Sequence, residues 1–203
     1  MEHSANHILL RGSLSSLPQF SHENHGIRFF HFFLEVPRLS GTVDTLPVVA
    51  EEQVLNSFDL SGGEQLTITG QIRSYNVRTD GRRHLKIFVY ARSIVCEDGE
   101  PINEVILEGP ICREPNYRQT PLGREICDVM LAVPRAFRRA DYLPCILWGR
   151  TAQEASRCHT SDRLLICGRL QSRNYTKVTD DGIETRTAYE ISALTAEFPP
   201  FSE

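Results

Sequence analysis

Leu131-Ala132-Val133-Pro134-Arg135 repeats Leu34-Glu35-Val36-Pro37-Arg38 at a distance of 97 residues, and this correspondence decides how the chain divides. Outward from it the same spacing places Asn6 on Asn103, Gly12 on Gly109, Pro18 on Pro115, Phe20 on Tyr117 and Gly26 on Gly123. It continues through Asp44/Asp141, Leu46/Leu143 and Pro47/Pro144, and after a one-residue insertion Leu66/Leu164, Ile68/Ile166, Gly70/Gly168, Ser74/Ser172 and Asn76/Asn174 follow at 98. A period this long exceeds any solenoid repeat and suits two small duplicated domains. The division expected is 1–97 and 103–198, with an acidic, turn-forming linker at 98–102 and a short tail at 199–203.

Each copy reads as strand-rich. In the first, strands are expected at 7–14, 28–36, 42–49, 65–77 and 84–95, with a short helix at 51–58 where Val54, Leu55 and Phe58 recur at helical spacing. The second repeats the order: strands at 103–112, 124–133, 141–148, 163–175 and 184–196, with a helix at 151–158. Asp80-Gly81 and Asp180-Asp181-Gly182 are hairpin turns. Three strands, a helix and two more strands form the order of the OB-fold, a five-stranded, partly open barrel. The expected architecture is therefore mainly β, two such barrels in series.

Composition narrows the function. The chain has 203 residues, 40% of them apolar, and a formal charge of −4, so any nucleic acid is held by a local groove rather than a global basic field. The six cysteines include no CxxC pair, which implies a reducing cytosol and no disulfides. Residues 1–7 are polar and no apolar run approaches the roughly twenty residues of a membrane span. His22-x-x-His25 lacks a second ligand pair, His84 and His159 stand alone, and no phosphate loop, nucleophile elbow or HExxH occurs. No cofactor and no catalytic residue are expected.

The stretch Asp141-Tyr142-Leu143-Pro144-Cys145-Ile146-Leu147-Trp148-Gly149-Arg150 carries the functional signal. As a strand it sends Tyr142, Ile146 and Trp148 to one side and Leu143, Cys145 and Leu147 to the other. An apolar floor beneath two aromatics suits stacking of nucleobases. Burial of both rings in the core is the competing reading. On 163–175, Arg169, Arg173 and Tyr175 share one face while Leu164, Ile166 and Leu170 share the other.

The second copy, from Asn103-Glu104-Val105-Ile106-Leu107-Glu108-Gly109 through Pro115-Asn116-Tyr117-Arg118-Gln119-Thr120-Pro121-Leu122-Gly123 and Leu131-Ala132-Val133-Pro134-Arg135, resembles bacterial single-stranded DNA-binding protein. The likeness runs on through the Trp148 stretch into Gly168-Arg169-Leu170-Gln171-Ser172-Arg173-Asn174-Tyr175. It implies a cytoplasmic protein, nucleoid-associated when bound, that binds single-stranded DNA nonspecifically in replication, recombination or repair. The family's stacking aromatics then fall on Tyr142, Trp148 and Tyr175, with backbone contacts from Arg150, Arg169 and Arg173. Tyr117, Arg113 and Arg135 complete the expected set on this copy, while for Tyr117 and Phe137 packing is an equal alternative. Because the family presents four OB-folds, two per chain imply a homodimer. The family's acidic-tipped tail, which recruits replication and repair proteins, is only faintly resembled by Phe198 to Phe201.

The first copy places Thr45, Glu51 and Val77 where the second has Tyr142, Trp148 and Tyr175. With no ring at these positions and one carboxylate, it is expected to serve assembly or partner binding. Its cations Arg73, Arg78, Arg82, Arg83 and Lys86 gather on the last hairpin, where they track a backbone or keep the hairpin soluble. A protein-interaction module of the primosome or phage type, with little DNA binding, is the second hypothesis.

Overall fold

The computed structural model describes residues 5–56, 58, 60–79, 81–179 and 182–200. The first copy comprises β1 (Asn6–Leu14), β2 (Gln19–Asn24), β3 (Ile27–Pro37), β4 (Val43–Glu51), α1 (Glu52–Leu55), β5 (Gln65–Thr79) and β6 (Arg82–Cys96). The second repeats it as β7 (Ile102–Pro110), β8 (Asn116–Gln119), β9 (Glu125–Arg135), β10 (Arg139–Trp148), α2 (Gly149–Ala155), β11 (Arg163–Thr179) and β12 (Gly182–Glu197). Every expected strand is present and the chain is mainly β. The hairpin-turn residues Asp80, Asp180 and Asp181, and the tail residues Phe201, Ser202 and Glu203, lie outside the described residues.

Each copy carries a sixth strand that the alternation did not announce. Gln19–Asn24 and Asn116–Gln119 are exposed along their whole length, so they have no apolar face to signal them. Backbone pairing to β3 and β9 holds them, with side-chain contacts such as Arg118 to Asp128 at 2.7 Å and Phe20 edge-on to Phe30. The helices are shorter than expected or begin earlier, at Glu52–Leu55 and Gly149–Ala155.

Inward positions alternate along the strands, with consecutive buried residues at Ile126 and Cys127 and at Cys145, Ile146 and Leu147. Ile8, Leu10, Phe32, Leu34, Leu46, Val48, Ile68 and Ile72 fill the first barrel, and Leu107, Leu131, Leu143, Leu147, Leu164 and Ile166 the second. Closure of each barrel brings strands very close at repeated glycines. A Cβ on Gly12 would stand 2.3 Å from the Glu35 carbonyl oxygen, and one on Gly168, at a bulge in β11, 2.3 Å from that of Ser192. Gly109 and Gly70 occupy the matching places, which explains why these glycines survive in both copies.

The copies join edge to edge. β1 and β7 pair antiparallel from Asn6↔Leu107 to Arg11↔Ile102, making one twelve-stranded sheet. The junction is self-complementary, as in an isologous dimer. Asp44 Oδ1 accepts the Ser172 backbone N–H at 2.7 Å, and Asp141 Oδ1 accepts that of Ser74 at 2.7 Å. Arg38 pairs with Asp44 at 2.5 Å, while Arg73 and Arg135 each approach Asp141 at 3.3 Å. Both carboxylates are fully buried. Buried charges persist where paired and hydrogen-bonded, and here the pairing also fixes the register of one copy on the other.

Candidate nucleic-acid interface

β10 realises the alternation read from its sequence. Leu143, Cys145 and Leu147 are buried, whereas Tyr142 and Trp148 are 45% and 37% exposed. Ile146 lies on the aromatic side but is buried between them. Gly149, at φ +53°, turns the chain from strand into α2, and the Thr151 hydroxyl donates to the Trp148 carbonyl at 2.7 Å. The indole Nε1 donates to Ser192 Oγ at 3.2 Å, which fixes the ring in a residue that remains part-exposed.

Register then brings a cation to that ring. Ile146 aligns with Ser192 of β12, and Ser192 pairs with Arg169 of β11, so Arg169 shares the outward face with Trp148. Among the described residues, Arg169 Nε is a buried polar atom with no hydrogen-bond partner. Native structures rarely leave such a donor unmet, and a site for an oxyanion is one explanation. The groove beside it, about 540 Å³, is lined by Trp148, Arg169, Arg38 and Arg124 together with Ser192 and Leu194. Neither Arg38 nor Arg124 was expected there. Arg38 arrives from the first copy, its guanidinium pKa raised by the hydrogen bond to Asp44.

A second cluster lies toward the hairpin end of the same face. Tyr142, six residues from Trp148, stands about 20 Å away along the strand. Arg173 approaches the Tyr175 ring at 5.9 Å, and Tyr175 is 39% exposed. Between the clusters Glu190 is buried, accepting from Gln171 at 2.8 Å and lying 3.7 Å from Arg173.

The other expected residues separate. Arg150 sits on α2, 90% exposed and paired with Glu154 rather than with the groove. Tyr117 pairs with Cys127, which pairs with Leu147, so it takes the opposite face from Trp148 and donates to Glu125 at 2.7 Å. Arg73 and Arg135 are engaged with Asp141 at the junction. Arg113 is exposed in a bend, Arg83 is exposed on the first hairpin, and the Arg82 side chain lies outside the described residues. Phe137 is almost wholly exposed, at φ +60°. Among the described residues no cluster of His, Cys, Asp or Glu forms a metal site, and no helix is long and apolar enough to cross a membrane.

Residues 102–199 match the model of the "Single-strand binding protein family". "Single-stranded DNA-binding protein B" of Bacillus subtilis is 33% identical over 103 residues, covering 47% of this chain and 88% of that protein. "Single-stranded DNA-binding protein" of Bacillus cereus is 33% identical over 109 residues, 50% of this chain and 61% of its own length. In fold, the wild-type single-stranded DNA binding protein from Thermus aquaticus superposes with a TM-score of 0.78 at 24% identity, covering 98% of this chain and 94% of that one.

Proposed function

The chain belongs to the single-strand binding protein family, and from that premise we propose that it binds single-stranded DNA without reading its sequence, in replication, recombination or repair. The observation that carries this reading is the unpartnered Arg169 Nε in the groove that part-exposed Trp148 also lines. Bases stack on the indole while phosphates meet Arg169, Arg38 and Arg124. Arginine suits the task because its planar fork both pairs with phosphate and stacks. Tyr142, Arg173 and Tyr175 continue the track. The role is binding, with no chemical step.

A homodimer is part of the proposal, since two chains would present four barrels. Sedimentation at twice the chain mass supports it, and the mass of one chain removes it. The binding reading is tested by anisotropy of labelled oligo-dT and of a duplex across a salt series. The expected result is preference for the single strand with affinity falling steeply as salt rises, through release of condensed cations. Trp148→Ala removes one stacked ring, about 1–3 kcal/mol or roughly 5- to 150-fold in affinity. Equal affinity for duplex and single strand, or no loss in the variant, would contradict the reading.

A further inference from the structure

We infer that Glu190 selects bases that carry an exocyclic amino group, so that the second copy holds cytosine or adenine more tightly than thymine or uracil at one point of its track. The inference rests on the single-strand binding just proposed and adds to it a preference for base chemistry, not for sequence order. Ser192 of β12 pairs with Arg169 of β11, and Glu190, two residues back, pairs with Gln171. These four share the outward face with Trp148, whose indole reaches Ser192 Oγ. Glu190 stands about 7 Å along β12 from Ser192, between the Trp148 groove and the Arg173 and Tyr175 cluster.

A carboxylate is an unexpected group on a phosphate-binding face, because it repels the phosphates that pass. Glu190 is 7% exposed, and its protein partners satisfy one oxygen only. Oε1 accepts from Gln171 Nε2 at 2.8 Å and lies 3.7 Å from Arg173 Nε, beyond hydrogen-bond reach. Oε2 accepts from no described residue. Among the described residues Arg169 Nε is the one sealed side-chain polar atom without a partner, so Oε2 opens onto the face. Asp128 shows the contrast. It takes the same face through its pairing with Ile146, and both its oxygens are engaged by Arg118, at 2.7 and 3.2 Å.

An open carboxylate oxygen between two stacking clusters suits a hydrogen-bond donor on the edge of a base. Cytosine N4 and adenine N6 are such donors, and Glu accepting from cytosine N4 is a known pairing. Thymine and uracil place a carbonyl oxygen at the corresponding position, which a carboxylate repels. A buried polar group met by one base and unmet by another discriminates more strongly than apolar contact does. In the first copy Phe88 pairs with Arg73 as Glu190 pairs with Gln171, so the acceptor belongs to the second copy.

Oligo-dC and oligo-dU differ only in the groups at ring positions 3 and 4, which makes them the discriminating pair. Strands of about 16 nucleotides, the upper reach of one barrel, are titrated against the full chain and against Glu190→Ala and Glu190→Gln, reading Trp148 emission and anisotropy at one salt concentration. The expected result is a preference of roughly threefold or more for oligo-dC in the wild-type protein. That preference disappears in Glu190→Ala and shrinks in Glu190→Gln, with affinity for oligo-dU unchanged or higher. Oligo-dC dimethylated at N4 keeps the ring and loses the donor, and on the wild-type protein it should bind no better than oligo-dU. This last measurement decides the matter if the variants fail to fold. Equal affinity of the wild-type protein for all three strands, or loss by the same factor for oligo-dC and oligo-dU in the variants, overturns the inference. Glu190 then only orients Gln171 and Arg173, and single-strand binding stands. No binding of any of the three to the wild-type protein overturns both.

Discussion

The backbone N–H of Ser74 donates to Asp141 Oδ1 at 2.7 Å, and its repeat image Ser172 donates to Asp44 Oδ1 at the same distance. Each copy thus offers a buried carboxylate to the other's hairpin strand. Because Tyr142 follows Asp141 directly and Arg173 follows Ser172, the junction also sets where the groove residues stand.

Replacing Asp44 by Ala removes the buried carboxylate that Arg38 and the Ser172 N–H share, leaving that N–H without its acceptor and Arg38 with only the Ser172 carbonyl at 3.2 Å. Loss of one partner of a buried pair costs about 3–5 kcal/mol. The expected outcome is a lower urea midpoint at unchanged slope. A change within 0.5 kcal/mol, the range of ordinary surface substitutions, would show that the junction does not depend on this pair.

Gly12→Ala drives a Cβ to within 2.3 Å of the Glu35 carbonyl oxygen, so β1 and β3 must part. A loss of about 1–3 kcal/mol is expected, as for other overpacked sites. Gly26→Ala is the contrast: its space is open but its φ is +78°, so only backbone strain of about 1–2 kcal/mol applies. Thermal melts of the pair separate the two causes when each is compared with a larger residue: Val at position 12 worsens the loss, whereas Asn at position 26 relieves it.

Glu64 is held down to about pKa 2 by the Ser61 hydroxyl, with help from the backbone N–H groups of Ser61 and Gly62. A lowered folded-state value means the contribution is complete above the ordinary 4.5 and is lost as pH falls through 2. Carboxyl carbon-13 titration should place the Glu64 transition near 2 in the parent and higher in Ser61→Ala. A parent transition near 4.5 would dismiss the contact.

The thiols should react in order of burial. Burial pushes Cys127 and Cys158 up to about 11 and Cys145 higher still, while Cys96 is exposed. At pH 8, iodoacetamide followed by mass spectrometry should label Cys96 first and leave the other three protected until unfolding. Early labelling of Cys145 would mean that the second barrel opens.

The repeat and the strand order were legible because buried alternation and paired glycines leave a trace in sequence. Parity put Trp148 opposite Leu143 and Leu147 on one strand and Arg169 opposite Leu164 and Ile166 on another, while their common face follows from the register through Ser192. The short strands Gln19–Asn24 and Asn116–Gln119 gave no such signal, since nothing on them is buried. Arg38 in the Trp148 groove and the engagement of Arg73 by Asp141 arise from packing between copies, which no local pattern records, whereas Arg135 meets Asp141 within its own copy, six residues along the β9–β10 hairpin. On β3, Phe29, His31 and Phe33 share one face and Phe30 and Phe32 the other, so a strand aromatic on both sides does not announce which side is the core.

The emission of Trp148, the single tryptophan, tests the central claim most directly because one ring reports on one groove. With oligo-dT added at low salt, the account predicts strong quenching that salt reverses, and weaker binding when Arg169 is replaced by Ala. Undiminished emission at saturating oligonucleotide, with binding established by a labelled strand, would place the bases elsewhere and contradict it.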